Sequence, residues 1–307
     1  MDQLAAMRTF ARVVEAGTFS RAAELLDTPR PTVTKLIQTL EAHLRTKLLN
    51  RTTRRVTVTA DGAAYYERVV RILADVDELD GSMTLSQASP RGRLRIDVSA
   101  PLALLSIIPA LPDFHARYPD IQIDLGVTDR PVDMIAENVD CVVRAGTLAD
   151  QSLIARRIGE FHFITCATPD YLARHGEPRF PADLEKDHTV VGYFNTSSGR
   201  TMPFNFNRNG EQHEVTGRYV VSVNDGNIYV AAALTGLGVI MAPHFMVQQH
   251  IASGALRPIL TEWASDAVPL YVVYPPNRHL SNKLRIFVDW VADLIARDLR
   301  LREVPGG

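Results

Sequence analysis

TFSRAAELLDTPRPTVTKLIQTLEAHL, residues 18–44, decides how the amino-terminal part of this 307-residue chain folds. Its second half places Val33, Leu36, Ile37, Leu40 and Leu44 at spacings of three and four, one face of an α-helix. Pro31 stands near the start of that helix, where a missing N–H costs no hydrogen bond. The opposite face carries Arg30, Thr32, Thr34, Lys35, Gln38 and Thr39 and no acid. Just upstream, Ala22, Ala23, Leu25 and Leu26 give a shorter helix with a small packing face, for which Ser20 is the expected N-cap. Asp27-Thr28-Pro29 breaks it. The pattern is helix, short turn, amphipathic helix with cations and donors outward. That chemistry suits base edges and phosphates in a DNA major groove, which admits one helix.

Upstream of this stretch, Leu4, Met7, Phe10, Val13 and Val14 recur at helical spacing and Gly17 closes the run as a C-cap glycine. Downstream, KLLNRTTRRVTVT (47–59) is a basic turn followed by alternating β-branched residues, the signature of a two-stranded wing. Such a wing carries Arg51, Arg54 and Arg55 to the DNA backbone or minor groove. Thr59 is then the N-cap of a long helix reaching about Ser89, with Tyr66, Val69, Leu73, Val76, Leu79 and Met83 in one stripe. That stripe could pack on its own chain, but no nearby sequence remains to cover it, so a second subunit is favoured.

Composition sets the wider bounds. The length allows about two domains at roughly 150 residues each, and 46% hydrophobic with 22% charged residues is ordinary for a globular chain. Lys+Arg 33 against Asp+Glu 35 gives a net charge of −2, which by itself points to no polyanionic partner. Residues 28–60 break that balance, with seven basic side chains against the single acid Glu41. A local excess of this size attracts a polyanion whatever the total says. Cys141 and Cys166 sit far apart in apolar runs, without metal-type spacing, and read as reduced, buried thiols. An acid at residue 2 is wrong for a signal peptide, and no apolar run approaches the roughly 18 residues of a membrane span. A soluble, cytoplasmic protein without membrane contact is expected.

MDQLAAMRTFARVVEAGTFSRAAELL, TVTKLIQTLEAHL and LLNRTTRRVTVTADG together resemble the winged helix-turn-helix and linker helix of the LysR-type transcriptional regulators. The resemblance implies a DNA-binding domain at 1–59, a dimerisation helix at 60–90 and an effector-binding domain at 91–302, followed by a tail at 303–307. Arg30, Pro31, Thr32, Thr34, Lys35, Gln38, Arg51, Arg54 and Arg55 are the implied DNA-binding residues. Three departures stand out: the family often has serine at the position of Pro29, glutamine or serine at that of Arg30, and glycine at that of Arg45. Arg30 could grip guanine bidentately or hold a phosphate. Arg45 in a left-handed C-cap would cost about 1 kcal/mol relative to glycine.

After Ser89-Pro90-Arg91-Gly92 the pattern changes to alternating strand and helix. LRIDV (94–98), IQIDLGV (121–127), VDCVVR (139–144), FHFITCA (161–167), TVVGY (189–193), YVVSV (219–223) and LYVVY (270–274) read as strands. Helices are expected near 101–118, 129–137, 226–236, 244–252 and 280–301, in an α/β arrangement with mostly parallel sheet. RYPDIQIDLGV, VDCVVRAG and ALTGLGVIMAP extend the resemblance. It implies two α/β subdomains of periplasmic-binding-protein type, I at 91–162 with 269–302 and II at 163–268, with a ligand cleft where the chain crosses between them.

In open α/β sheets the crevice beyond the strand carboxyl ends exposes amides and helix N-termini, which favour anions. Ser99, with the Ala100 amide after it, follows the first strand; it is either a helix cap or an effector contact. Thr128 after the second strand carries the same two readings, and Asn224-Asp225 precedes the equivalent helix of subdomain II. Thr165 is expected on the cleft floor. Arg144, at the end of an apolar strand, is either ion-paired with an acid such as Asp129 or Asp133, the favoured reading, or a clamp for a ligand carboxylate. Tyr193-Phe194 and the Phe204/Phe206 pair could line a pocket for a planar ligand or simply fill the core. His162, His244 and His279 lack metal-ligand spacing.

Enzyme motifs are missing: there is no G-x-x-x-x-G-K-[ST], H-E-x-x-H or G-x-S-x-G, and Met241 stands where a dinucleotide site would need its third glycine. The expectation is a non-enzymatic regulator without cofactor or metal. Its expected effector is an organic acid or small aromatic; its implied partners are an inverted repeat of double-stranded DNA, further copies of itself as dimer and tetramer, and RNA polymerase. The rival reading is a ligand-binding protein or enzyme of periplasmic-binding-protein type without DNA function.

Overall fold

The computed structural model describes residues 2–51, 56–83, 90–130, 132–134, 136–146, 152–276 and 281–298. The chain forms two compact units, Met1–Ala88 and Ser89–Gly307.

In the first unit, α1 (Gln3–Ala16) starts at Asp2, whose carboxylate accepts the Ala5 N–H, and stops at Gly17 with φ 68°. The cap of α2 (Phe19–Leu25) is Thr18, which accepts the Arg21 N–H. Ser20 is therefore not the cap; it lies inside the first turn, one hydroxyl beyond the residue with extended backbone. Asp27 at φ 46° turns the chain into α3 (Arg30–Leu44), which has Pro29 at its N-cap and no side-chain cap. Arg45 ends α3 in the left-handed conformation, φ 51° and ψ 33°, so the turn keeps the geometry that favours glycine.

Phe10, Val13, Ala22, Val33, Ile37 and Leu40 close a core among these three helices, with Leu48 and Leu49 from the wing. The wing pairs β1 (Leu49–Arg51) antiparallel with β2 (Val56–Val58). α4 (Ala60–Met83) then begins at Thr59, whose hydroxyl accepts the Gly62 N–H. A Cβ on Gly62 would lie 2.0 Å from the Leu48 carbonyl oxygen, so only glycine permits this approach of helix to wing.

The first half of the α4 stripe is covered within the chain: Val69 and Leu73 pack on Met7 and Ala11 of α1, and Tyr65 lies 5.5 Å from Phe10. Over this half the stripe packs on its own chain, where a second subunit was favoured, because α1 folds back along α4. At 1.5 Å per residue α4 is about 36 Å long and α1 about 21 Å, so α4 runs beyond α1. The side chains of Leu79 and Met83 and residues 84–89 lie outside the described set.

The second unit opens with β3 (Gly92–Val98) and a helical run of α5 (Ala100–Leu102), a π-helical turn (Ala103–Ile107) and α6 (Ile108–Arg117). β4 (Ile121–Val127), β5 (Cys141–Ala145) and β6 (Ile154–Phe161) follow. The chain then crosses through the single residue His162 into β7 (Phe163–Ala167), α7 (Pro169–His175), α8 (Asp183–Lys186) and β8 (Thr189–Tyr193). Next come β9 (Phe204–Arg208), β10 (Glu211–Val215), β11 (Arg218–Val223) and α9 (Gly226–Leu234). β12 (Ile240–Pro243), α10 (His244–Ala252) and β13 (Arg257–Pro258) complete that excursion. β14 (Val268–Tyr274) and α11 (Asn282–Arg297) return to the first sheet.

That first sheet has the order β4-β3-β5-β14-β6. β3 is parallel to β4 and β5, whereas β14 is antiparallel to both β5 and β6. The expected mostly parallel sheet is thus mixed, since strands that arrive by crossing from elsewhere need no βαβ connection. The second sheet region centres on β7, antiparallel to β12 and β13, with β8 and β11 parallel beside it. Phe114, Phe287 and Trp290 pack α6 and α11 on the first sheet. Phe204 and Phe206, on the β9–β10 hairpin, are core residues of the second together with Tyr171 and Trp263.

Among the described residues of 129–137 none is helical. Arg130 closes on Glu137 through two bonds of 2.6 and 2.8 Å, Asn138 takes φ 56°, and the described residues there are bends, turns and irregular backbone. Met134 packs with Val142 and Val273, so the apolar spacing serves an edge of the sheet instead.

Candidate nucleic-acid interface and ligand cleft

The interface side chains are placed by the burial of their neighbours. Because Val33, Ile37 and Leu40 are fully buried, helical geometry turns Arg30, Pro31, Thr32, Lys35 and Gln38 outward, and all five are exposed. Among the described residues, neither Arg30 nor Lys35 pairs with an acid, so both cations stay open to an anion. Thr34 is half-buried and donates its hydroxyl to the Arg30 carbonyl at 3.0 Å. Glu41, the one acid of the basic stretch, faces inward and accepts the N–H groups of Leu48 and Leu49 at 3.0 and 3.1 Å. It therefore joins α3 to the wing instead of neutralising the outer face, a role the sequence does not announce. Arg51 lies in β1, with its side chain outside the described set; Arg54 and Arg55 lie outside the described residues altogether.

The cleft lies beyond the carboxyl ends of parallel strands in both sheets. A cavity of about 220 Å³ is lined by Asp129 and Arg144 from one sheet's loops and by Tyr193, Phe194, Asn195, Thr196, Met202 and Asn224 from the other's. The Tyr193 hydroxyl reaches across to donate to the Asp129 carboxylate at 3.1 Å and approaches the Asn224 carbonyl at 3.2 Å. Burial, with Asp225 nearby, holds the Asp129 carboxyl above its ordinary range in spite of Tyr193, Arg144 and the Gly226 amide. Burial and the neighbouring Asp129 push the Tyr193 phenol up.

Arg144 is committed to the protein. It donates to Asp97 at 2.7 Å and to the Thr128 carbonyl at 3.2 Å, and also to the Arg130 carbonyl. Its partner is Asp97 on the neighbouring strand β3, where Asp129 or Asp133 was expected. Asp97 is buried, and desolvation keeps its carboxyl above the ordinary range although Arg144 and Thr128 pull it down. Complementary charges inside two adjacent apolar strands, LRIDV and CVVRAG, were the available signal for this pair.

The remaining expected ligand residues divide. Arg144 and Asn224 line the cavity. Thr128 supports its wall, with its hydroxyl 3.3 Å from Asp97, and among the described residues after it no helix begins for it to cap. Asp225 is the N-cap of α9, accepting the Ile228 N–H at 2.9 Å. Ser99 sits at the N-cap position of α5 without a side-chain capping bond, and neither it nor Ala100 lines the cavity. Thr165 is buried in β7 opposite Met241. Asp129, Asn195, Thr196 and Met202 were not anticipated as lining residues; the loops after β4 and β8 bring them together.

Cys141 and Cys166 are both buried and unbridged, and burial pushes the Cys166 thiol up to about 12. Among the described residues no helix is long and apolar enough to cross a membrane.

Comparison with known proteins covers both units. Residues 4–63 match the bacterial regulatory helix-turn-helix protein, lysR family, and residues 87–296 match the LysR substrate binding domain. A transcriptional repressor of Pseudomonas aeruginosa (strain UCBPP-PA14) is 38% identical over 99% of this chain and 96% of its own length. The regulator CrgA of Neisseria meningitidis serogroup C is 33% identical over 95% of this chain and 97% of its own. The solved structure of CrgA from N. meningitidis superposes with a TM-score of 0.60 at 32% identity, covering 94% of this chain and 97% of that one. The full-length structure of the Vibrio cholerae virulence activator AphB also gives 0.60, at 28% identity, over 94% and 98%. With a DNA-binding helix-turn-helix at one end and a substrate-binding domain spanning most of the remainder, this chain belongs to the LysR family of transcriptional regulators.

Proposed function

We propose that α3 enters the major groove with Arg30, Thr32, Lys35 and Gln38 toward the DNA, while Arg51, Arg54 and Arg55 of the wing hold the flanking backbone or minor groove. The observation that carries this reading is the outer face of α3, where Arg30 and Lys35 stand exposed without a pairing acid while Glu41 is turned inward. Thr34 spends its hydroxyl on the Arg30 carbonyl, one turn back along the helix.

The cavity of Asp129, Arg144, Tyr193 and Asn224 is the effector site in this reading. The effector acts by binding one arrangement of the domain better than another, which shifts promoter affinity by its differential binding free energy. The part of α4 beyond α1 pairs two chains, and two reading heads then meet an inverted repeat. Leu104, Ile108, Tyr219, Val220 and Ile228 expose apolar surface on the second unit. That surface supports further self-association, up to a tetramer. The protein works in the cytoplasm, as a regulator and not as an enzyme, with RNA polymerase as the machinery it recruits or blocks.

The test is selection of bound duplexes from a random pool by the wild type and by Arg30→Ala. An inverted repeat is expected from the wild type, and a changed base preference at one position of each half-site from the variant. No enriched sequence would refute the reading, and an identical profile would reduce Arg30 to a phosphate contact.

A further inference from the structure

The cavity's charge points to its ligand, on the reading that this cavity is the effector site. Arg144 is its only cation among the described lining residues; Asp97 and two carbonyls hold its two terminal nitrogens, while its buried Nε has no partner. Asp129 is opposite, held by a neutral phenol, and Asp225 stands beside it at the start of α9. That helix N-terminus would ordinarily receive a ligand carboxylate. Here the seat is taken by the protein: Asp225 caps it, and Asp129 faces the Gly226 amide from the other side of the cleft. Asp129 and Arg144 are the charged lining residues; behind them Asp97 pairs with Arg144 and Asp225 caps α9, so Asp129 faces the cavity without a cation of its own. An incoming carboxylate would meet Asp129 and an arginine whose terminal nitrogens are already held, whereas an incoming cation would meet a carboxylate that burial has deprived of water.

The walls fit the same answer. Tyr193 and Phe194 present aromatic rings, and Met202 adds an exposed thioether. Aromatic faces attract ammonium groups, more strongly when water is excluded. At about 30 Å³ per water, the cavity of about 220 Å³ holds about seven waters' volume, the space of a single-ring molecule.

We propose that the cleft selects a small amine, a single ring or short chain bearing an ammonium group, with the ammonium at Asp129 and the body against Tyr193, Phe194 and Met202. Organic acids are excluded by the same carboxylate.

The full-length protein, titrated calorimetrically with tyramine and with the ring-matched 4-hydroxyphenylacetate, tests this. Saturable binding of the amine, at least tenfold tighter than of the acid, is expected. Asp129→Asn should erase that preference. Equal or tighter binding of the acid overturns the proposal, as does no saturable binding of tyramine up to about 10 mM, weaker than about −3 kcal/mol. Promoter affinity measured alongside separates the two readings. An amine that binds without altering DNA affinity removes the regulatory role and leaves the ligand class intact; an acid that alters it does the reverse.

Discussion

Asp97→Ala is the perturbation that most sharply separates a structural arginine from a ligand clamp. In the fold Asp97 holds Arg144 at 2.7 Å, with side-chain exposures of 6% and 24%. Burial keeps the Asp97 carboxyl above its ordinary range even with Arg144 beside it, so the intact pair adds little net stability. Breaking it is different, because the guanidinium is left with carbonyl partners and without its hydrogen-bonded counter-ion. Loss of one partner of a buried pair costs about 3–5 kcal/mol, and the solvent reaching Arg144 puts this case near about 3. For a domain of about 200 residues this lowers Tm by roughly 6–12 °C. Thermal melts of Asp97→Ala, Arg144→Met and the double variant measure it. The double variant should lose about 2 kcal/mol less than the sum of the singles. Additivity within about 0.5 kcal/mol would refute the pairing. An Arg144→Met protein as stable as the wild type would show that the arginine serves a ligand.

Three further outcomes follow from other positions. Arg45→Gly should raise stability by about 1 kcal/mol in urea denaturation, since the backbone there is left-handed at φ 51°; an unchanged midpoint would mean that the turn relaxes in solution. Ser99→Ala should leave Tm unchanged, because the hydroxyl makes no capping bond, and a loss of about 1 kcal/mol would reveal a cap. Asp129 holds its proton above its ordinary 3.8 in the fold, so the native state binds more protons than the unfolded chain in the window just above that value. Stability contributed there falls as pH rises. Asp129→Asn should flatten that decline in Tm measured against pH, and a superimposable curve would contradict the assignment.

What the sequence made legible was periodicity with burial behind it. The stripe Val33, Ile37, Leu40 located α3 and hence its outer face, and seven apolar runs became strands. What escaped reading depended on partners distant along the chain. Whether Thr18 or Ser20 caps α2 turns on one residue's backbone angles. The stretch 129–137 had helical spacing, yet Arg130 pairs with Glu137 and its described residues are bends and turns instead of helix. The β9–β10 hairpin did carry a signal, Asn209-Gly210 between FNFNR and EQHEV, and both residues take positive φ. β6 hid because Ile154–Arg157 are exposed and show no apolar alternation. At the cleft, Arg144 was visible as a charge needing a partner, but Asp97 lies 47 residues away, and only strand adjacency brings the two together.

The account rests on the exposed cations of α3 meeting DNA phosphates and base edges. Its most direct test is the salt dependence of binding to a selected duplex, by fluorescence anisotropy, for the wild type and Lys35→Ala. Each lost phosphate contact should flatten the slope of log K against log salt by about 0.9 and weaken binding across all sequences. Parallel lines for the two proteins, or no salt-sensitive binding by the wild type, would contradict it.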